Sequence, residues 1–495
     1  MSVEQYKAQA KRLANRLESV HGVKLKHSSI LDAIADLHGA QSWHHLVAGG
    51  GAEPSGAVPL KFTRSSHVEI RVPMQRLMDR ARLPGGEVAW TLGHDFKGQP
   101  VVHRSADRTP VLLWGDRASS LAFQLRMAAQ QIAAGGAVVF FDDGANPLTR
   151  DKLFAAAERA GRTADFLYLQ GGIKGKANTY NPLIDGDTNS VVSRLLRVFP
   201  RSAGPNPGAE FFLNQARQAL TLVLSVMRAA DVRLTLPELA DLLNNPSLLA
   251  QLPQIAANAG APDLQAEAEA YLDQFRSGKA GQLDRDAVAR MLGGVSARLH
   301  MLSLANWSAI EPQIRMPAVL SSKKILYVSH CASPTLRRLM LSDISAALHG
   351  KGAQERTGVP PLVLLQDAFW QHEGLEVENG LVKVCCAATA ETVAKEAELL
   401  GRFLALAELA GTHVVLPGAE LPATVMARLP KAASELPLSE PLREDEAWLL
   451  DRAAGAHPMQ LVEATFPAPT REWSAAACTP PRGEPYRRLA DVVAK

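Results

Sequence analysis

A strand-like apolar run, Val111 to Trp114, meets Gly115 and is followed by a helix-compatible stretch from Leu121 to Ala134. A strand, a glycine-started loop and a helix are the setting of a P-loop, G-x-x-x-x-G-K-[ST]. There, backbone N–H groups wrap phosphates, a lysine reaches the β- and γ-phosphates, and a hydroxyl holds Mg²⁺. Counted from Gly115, the second glycine falls on Ser120, the lysine on Leu121 and the hydroxyl on Ala122. None of the three groups is present. Arg117 lies inside the loop and reads either as a replacement cation or as a solvated surface charge.

The elements around the loop follow an order. Strand-like Ala137–Phe141 ends in Asp142-Asp143-Gly144, Asn181-Pro182-Leu183 closes the next segment, and Pro361–Leu365 forms a second buried run ending in Gln366-Asp367-Ala368-Phe369. In order and spacing, over roughly residues 85–430, the chain resembles the TraG/TraD-type coupling proteins of conjugation and type IV secretion, in the FtsK/HerA group of DNA-pumping ATPases. The resemblance implies a RecA-like P-loop NTPase fold, α/β with a parallel-rich sheet and an inserted all-α domain, and places Asp367 and Ala368 at the end of a Walker B strand. Asp367 keeps the aspartate that would secure Mg²⁺, whereas Ala368 cannot polarise water. With Gly115, Arg117, Ser120, Leu121 and Ala122, these two make a degenerate nucleotide site. One such electrostatic contributor is often worth about 10²–10³ in rate. The glutamine expected on a later strand is not evident, since Val414-Val415-Leu416 runs into Pro417-Gly418.

Other groupings carry less. His44-His45 and His413 lack metal-ligand spacing, and no metal site is expected. Ser119-Ser120 has no nucleophile-elbow glycines, which excludes that hydrolase pattern. Asp142-Asp143 at a strand end reads as turn chemistry before Gly144, with cation binding as the alternative. Phe211-Phe212 and Trp307 read as helical core. Cys331, Cys385, Cys386 and Cys478 show no C-x-x-C spacing and read as reduced, buried thiols.

Composition fits an ordinary globular chain: 495 residues, 47% hydrophobic, 21% charged, with a formal charge of +3 that does not by itself announce a nucleic-acid binder. No signal peptide is evident and no apolar run approaches the roughly 18–20 residues of a membrane span. A cytoplasmic location is expected, with peripheral contact at the inner membrane only through partners.

The punctuation divides the chain into a helical N-terminal unit (1–50), a Gly/Pro/Ser-rich linker (51–60), a first α/β part (61–205), an all-α insertion (206–318), a second α/β part (319–432) and an unplaced C-terminal segment (433–495). Lys7, Lys11, Arg12, Arg16, Lys24 and Lys26 make the N-terminal unit basic, either as a solvated helix face or as a surface for DNA or an acidic partner. In the insertion, Thr235 is placed to cap a helix opened by Pro237, Ala266–Phe275 and Asp284–Leu304 are helical, and no strand is expected.

The function implied is that of a non-catalytic coupling-protein relative in DNA transfer, type IV secretion or a related mobile-element system. Its partners would be itself, an active coupling-ATPase subunit or secretion-machine components, with DNA as a further ligand. No cofactor is expected, ATP and Mg²⁺ being the alternative. Two other readings stay open: an active DNA translocase with an unorthodox site, and a DNA-binding regulator acting through the N-terminal unit.

Overall fold

The computed structural model describes residues 71–493, apart from 84–86, 96, 105–108, 143–146, 171–176, 198, 200–206, 277–281, 304–305, 330–333, 350–358, 367–382, 389–409, 420–441, 444, 452–454, 462 and 475–485. The N-terminal unit, the linker, and the residues Lys7, Lys11, Arg12, Arg16, Lys24, Lys26, Asp367 and Ala368 all lie outside the described residues.

In chain order the first α/β stretch runs β1 (Arg71–Pro73), α1 (Met74–Arg80), β2 (Ala89–His94), β3 (Pro100–Arg104), β4 (Val111–Trp114), α2 (Arg117–Ala133), β5 (Val138–Asp142), α3 (Pro147–Arg159) and β6 (Phe166–Gln170). A mostly helical stretch follows: α4 (Thr188–Leu196), α5 (Pro207–Ala229), β7 (Val232–Arg233), α6 (Leu236–Asn244), α7 (Pro246–Leu249), α8 (Leu252–Asn258), α9 (Pro262–Asp273), α10 (Arg285–Met301) and α11 (Met316–Ser321). Sheet then returns with β8 (Ile325–Ser329), α12 (Pro334–His349), β9 (Leu362–Leu365), β10 (Lys383–Ala388), β11 (Thr412–Val415), β12 (Glu446–Asp451), β13 (Gly455–Gln460), β14 (Glu463–Thr465), β15 (Arg487–Arg488) and α13 (Leu489–Val493).

The main sheet has 11 strands in the order β3-β2-β13-β12-β11-β4-β10-β9-β5-β8-β6. From β11 to β6 every pairing is parallel, and from β11 to β3 every pairing is antiparallel. Strands β4, β5, β8 and β9 are buried at every position. Continuous apolar runs of this kind belong to parallel sheets covered by helices on both faces. Helix α2 packs on β2, β5, β9 and β10, and its Phe123, Met127 and Ile132 are almost fully buried. Two of its buried glutamines reach strand edges and neighbouring turns: Gln130 exchanges hydrogen bonds with the backbone of Thr91, and Gln131 donates to Pro360 O.

Sequence and structure part at three places. The segment after residue 432 supplies β12 and β13, which extend the main sheet antiparallel. β10 enters between β4 and β9; its Lys-Val-Cys-Cys-Ala-Ala sequence has short side chains and no clear period, so only the room between its neighbours marks it as a strand. The insertion expected to be free of strands contains β7, which pairs with β15 in parallel. A two-residue strand made by a C-terminal partner leaves no local pattern. The helix caps, in contrast, are local chemistry. Thr235 and Glu238 form a reciprocal capping box at α6, and Asp284 accepts from Asp286 N and Ala287 N at α10.

Candidate functional site at the carboxyl ends of the parallel strands

Ligands of open α/β sheets bind outside the carboxyl ends of the strands. On β4 that end is short. Only Gly115 and Asp116 separate the last strand residue from the first helical residue, Arg117. Asp116 is the N-cap of α2: its Oδ1 accepts from Ser119 N at 2.8 Å, and its Oδ2 accepts from Ser119 Oγ at 2.8 Å. A carboxylate at this position neutralises donor groups and the positive end of the helix dipole, the features that attract phosphate to a helix start. The turn after β11 closes in from the side. Asp116 N donates to Pro417 O at 3.1 Å and Leu416 N donates to Trp114 O at 2.6 Å. A Cβ on Gly115 would lie 2.7 Å from Leu416 Cβ, and Gly418 adopts φ +70° with any added Cβ 3.1 Å from Asp116. These two glycines meet a close approach and a left-handed turn, either of which would strain a larger residue.

The neighbouring strand ends are polar. Asp142, almost fully buried at the end of β5, accepts from Tyr327 Oη at 2.8 Å and lies 3.8 Å from Arg117 Nη2. Burial and the Asp142 carboxylate push the Tyr327 phenol well above its ordinary value. The Tyr168 and Tyr327 rings stack at 5.6 Å, and Tyr168 Oη reaches Gln170 Oε1 at 2.7 Å and Ser329 Oγ at 3.0 Å. Between α2 and the sheet, Gln124 Nε2 donates to Leu365 O and Cys385 O, at 3.0 and 3.2 Å. Ser120 Oγ, Gln124 Oε1 and both amide atoms of Gln366 are buried without a hydrogen-bond partner.

The Asn-Pro-Leu turn has a different role. Asn181, almost fully buried, donates from Nδ2 to Leu234 O at 2.9 Å and Ala309 O at 3.0 Å, while its Oδ1 accepts from Leu183 N at 2.9 Å. The turn is thereby tied to the helical stretch at two places, just after β7 and between α10 and α11. Beneath it lies a buried ionic cluster. Arg194 pairs with Asp343 at 2.5 Å and donates to Pro182 O and Asp185 O, Tyr180 Oη donates to Asp343 Oδ2 at 2.7 Å, and Arg315 pairs with Asp185 at 2.5 Å. Burial raises the Asp343 carboxyl to about 6 against the opposing pull of Arg194. Sequence reading identified Asn181-Pro182-Leu183 but not Arg194, Asp343 or Arg315, whose partners come from distant segments.

The structure brings Gly115, Arg117 and Ser120 to the strand-end crevice. Leu121 is half-buried and Ala122 exposed in α2, which starts at Arg117, so the spacing counted from Gly115 runs past the helix start. Arg117, read from sequence as solvated or as a replacement cation, is about half exposed and lies 3.8 Å from the Asp142 carboxylate. Asp142 is no simple turn residue, being buried between Arg117 and Tyr327. His413 is buried, stacked on Trp114 at 6.4 Å and bonded to its indole N–H. Cys385 and Cys386 are buried free thiols, the first pushed up to about 12 and the second also raised by burial. Trp307 is core, packed edge-on against Tyr180. Phe211 and Phe212 are not: they are 48% and 53% exposed on the first turns of α5, where helical spacing turns adjacent residues away from the core. Among the described residues no metal-binding group of side chains is found, and no helix is long and apolar enough to cross a membrane.

Comparison with known proteins fits this architecture. The plasmid coupling protein TrwB in complex with the ATP analogue ADPNP superposes with a TM-score of 0.53 at 12% identity, covering 86% of this chain and 98% of that one. TrwB with ADP and Mg²⁺ gives 0.46 at 10% identity over 81% and 95% of the two chains, and VirB4 of Thermoanaerobacter pseudethanolicus gives 0.44 at 12% over 78% and 99%. The protein has the RecA-like P-loop NTPase fold of the conjugative coupling proteins. Residues 1–70 match the family described as "Glyoxalase superfamily protein". No curated protein sequence matches the chain. The expectation of no cofactor is corrected here, because TrwB, which shares this fold, holds an ATP analogue. The lesson is physical: the absence of lysine and hydroxyl at counted positions speaks to phosphate chemistry, not to whether a fold carries a ligand in its crevice. At the start of α2 the Asp116 carboxylate accepts from Ser119 N, one of the donors that a helix start offers to an anion.

Proposed function

We propose that this chain is a coupling-protein-fold subunit of conjugative DNA transfer or type IV secretion that works without turning over ATP. Its position in the apparatus would rest on assembly with copies of itself, with an active coupling ATPase or with secretion components. The fold shared with TrwB supports the setting. The observation that carries the non-catalytic reading is the two-residue junction at β4, with Asp116 capping α2. Hydrolysis needs a cation on the β- and γ-phosphates and a metal held beside them. At this junction a carboxylate faces the helix start and the nearby guanidinium of Arg117 is engaged by Asp142.

The degenerate site therefore comprises Gly115, Arg117, Ser120, Leu121, Ala122 and, at the end of the β9 segment, Asp367 and Ala368. The basic residues Lys7, Lys11, Arg12, Arg16, Lys24 and Lys26 would add weak, salt-sensitive attraction to DNA. The experiment is phosphate release by the purified full chain, with and without single- and double-stranded DNA, alongside nucleotide binding by calorimetry. No release above a heat-killed blank is expected. DNA-stimulated turnover abolished by Asp367→Asn would replace this reading with the active translocase.

A further inference from the structure

A cavity of about 230 Å³ opens where the helical stretch meets the Asn-Pro-Leu turn, lined among others by Leu183, Arg228, Asp231, Arg233, Arg315 and Tyr486. Its charges are unevenly matched. Arg315 is taken by Asp185, which accepts from both Nε and Nη2. Arg228 is half-buried on α5, with a long 3.4 Å hydrogen bond to Leu183 O; burial lowers its pKa, and the Asp187 carboxylate opposes that shift. Arg233 lies with its guanidinium 4.4 Å from the centre of the Tyr486 ring. Among the described residues neither Arg228 nor Arg233 forms an ion pair. Asp231, exposed on the rim, is the carboxylate of the lining; its backbone sits at φ 54° and its carbonyl accepts from Arg487 N at 3.0 Å.

Arg228, whose charge the Asp187 carboxylate opposes at longer range, and Arg233, which faces an aromatic ring, are guanidinium groups with donors to spare at the cavity wall. Their planar donor forks suit an oxyanion with several acceptor oxygens, and phosphate is the common one. The wall also has a built character. β15 pairs with β7 in parallel, which fixes Tyr486 over Arg233 and orients that side chain. Leu489 and Val492 of α13 are buried and anchor the strand. We propose that this cavity is a binding site for a phosphate group, small enough for one or two phosphoryl units, with Arg228 and Arg233 as its principal ligands. It lies on elements distinct from the β4–α2 junction, so the proposal stands apart from the question of ATP turnover.

The probe is inorganic pyrophosphate, titrated calorimetrically into the full chain at low salt. Binding with a Kd of about a millimolar or tighter is expected, with Arg233→Gln and Arg228→Met each weakening it about tenfold, as loss of a charge-assisted hydrogen bond implies. Arg233→Gln alters a partly exposed side chain and keeps the test valid if Arg228→Met fails to fold. A short single-stranded oligonucleotide that displaces the pyrophosphate would identify the source as nucleic-acid backbone, and failure to displace it would identify a free small anion. No heat at about 10 mM pyrophosphate would overturn the site. So would undiminished binding in the folded Arg228→Met/Arg233→Gln protein.

Discussion

Replacing Asp116 by serine separates two effects that the native carboxylate combines. Serine caps helices about as well as aspartate, so the hydrogen bond to Ser119 N is kept while the charge is lost. The stability change should therefore be confined to the loss of charge–dipole interaction, about 0.3–1 kcal/mol. Asp116→Ala removes the cap as well and should cost about 1 kcal/mol more. The electrostatic consequence for a phosphate is larger. At a separation of about 5 Å and an effective dielectric of about 20, one unit of repulsion is worth about 3 kcal/mol before salt screening. Screening at a half-exposed position reduces this to about 1–2 kcal/mol, or roughly a factor of ten in affinity. The assay is calorimetric titration of ATP, with and without Mg²⁺, into native protein and both variants, paired with urea unfolding curves. Tighter ATP binding in Asp116→Ser with little loss of stability is the expected result. Equal ATP affinity in native and Asp116→Ser proteins would refute the idea that this carboxylate guards the helix start.

Three further outcomes follow from the packing. Asn181→Ala removes two donated bonds and one accepted bond from a buried site and should destabilise by about 3–5 kcal/mol, read from urea midpoints, with earlier proteolysis of residues 207–321. Gly115→Ala drives a Cβ to within 2.7 Å of Leu416 and should cost about 1–3 kcal/mol, whereas a neutral result would mean that the turn after β11 yields freely. Asp343 has a folded-state pKa of about 6, above its unfolded value, so the stability linked to its proton is fully present below the unfolded pKa, about 4, and is lost as pH rises to about 6. Asp343→Asn, a permanently neutral mimic of the protonated carboxyl, should remove that slope between about pH 4 and 6; an unchanged slope would place the titration elsewhere.

The sequence by itself determined the local chemistry. Val111–Trp114 could only be a buried strand, Thr235 and Asp284 lie just ahead of helices they can cap, and the absence of lysine after Gly115 is plain in the residue order. Caps and apolar runs act over a few residues, so one segment carries their whole signal. The serial order of Asn181-Pro182-Leu183 and the two apolar runs also sufficed to indicate the fold. Tertiary structure alone decided the rest. That α2 starts at Arg117 depends on the Leu416–Gly418 turn pressing against Gly115, a contact across some 300 residues of chain. Arg117 meets Asp142, Arg194 meets Asp343, and β7 becomes a strand because β15 arrives from the far end of the chain. Long-range pairings leave no periodicity behind them, since each half of the contact reads locally as an ordinary polar residue or a short run. The charges of the site were therefore legible one by one, and only the folded chain decided which of them cancel.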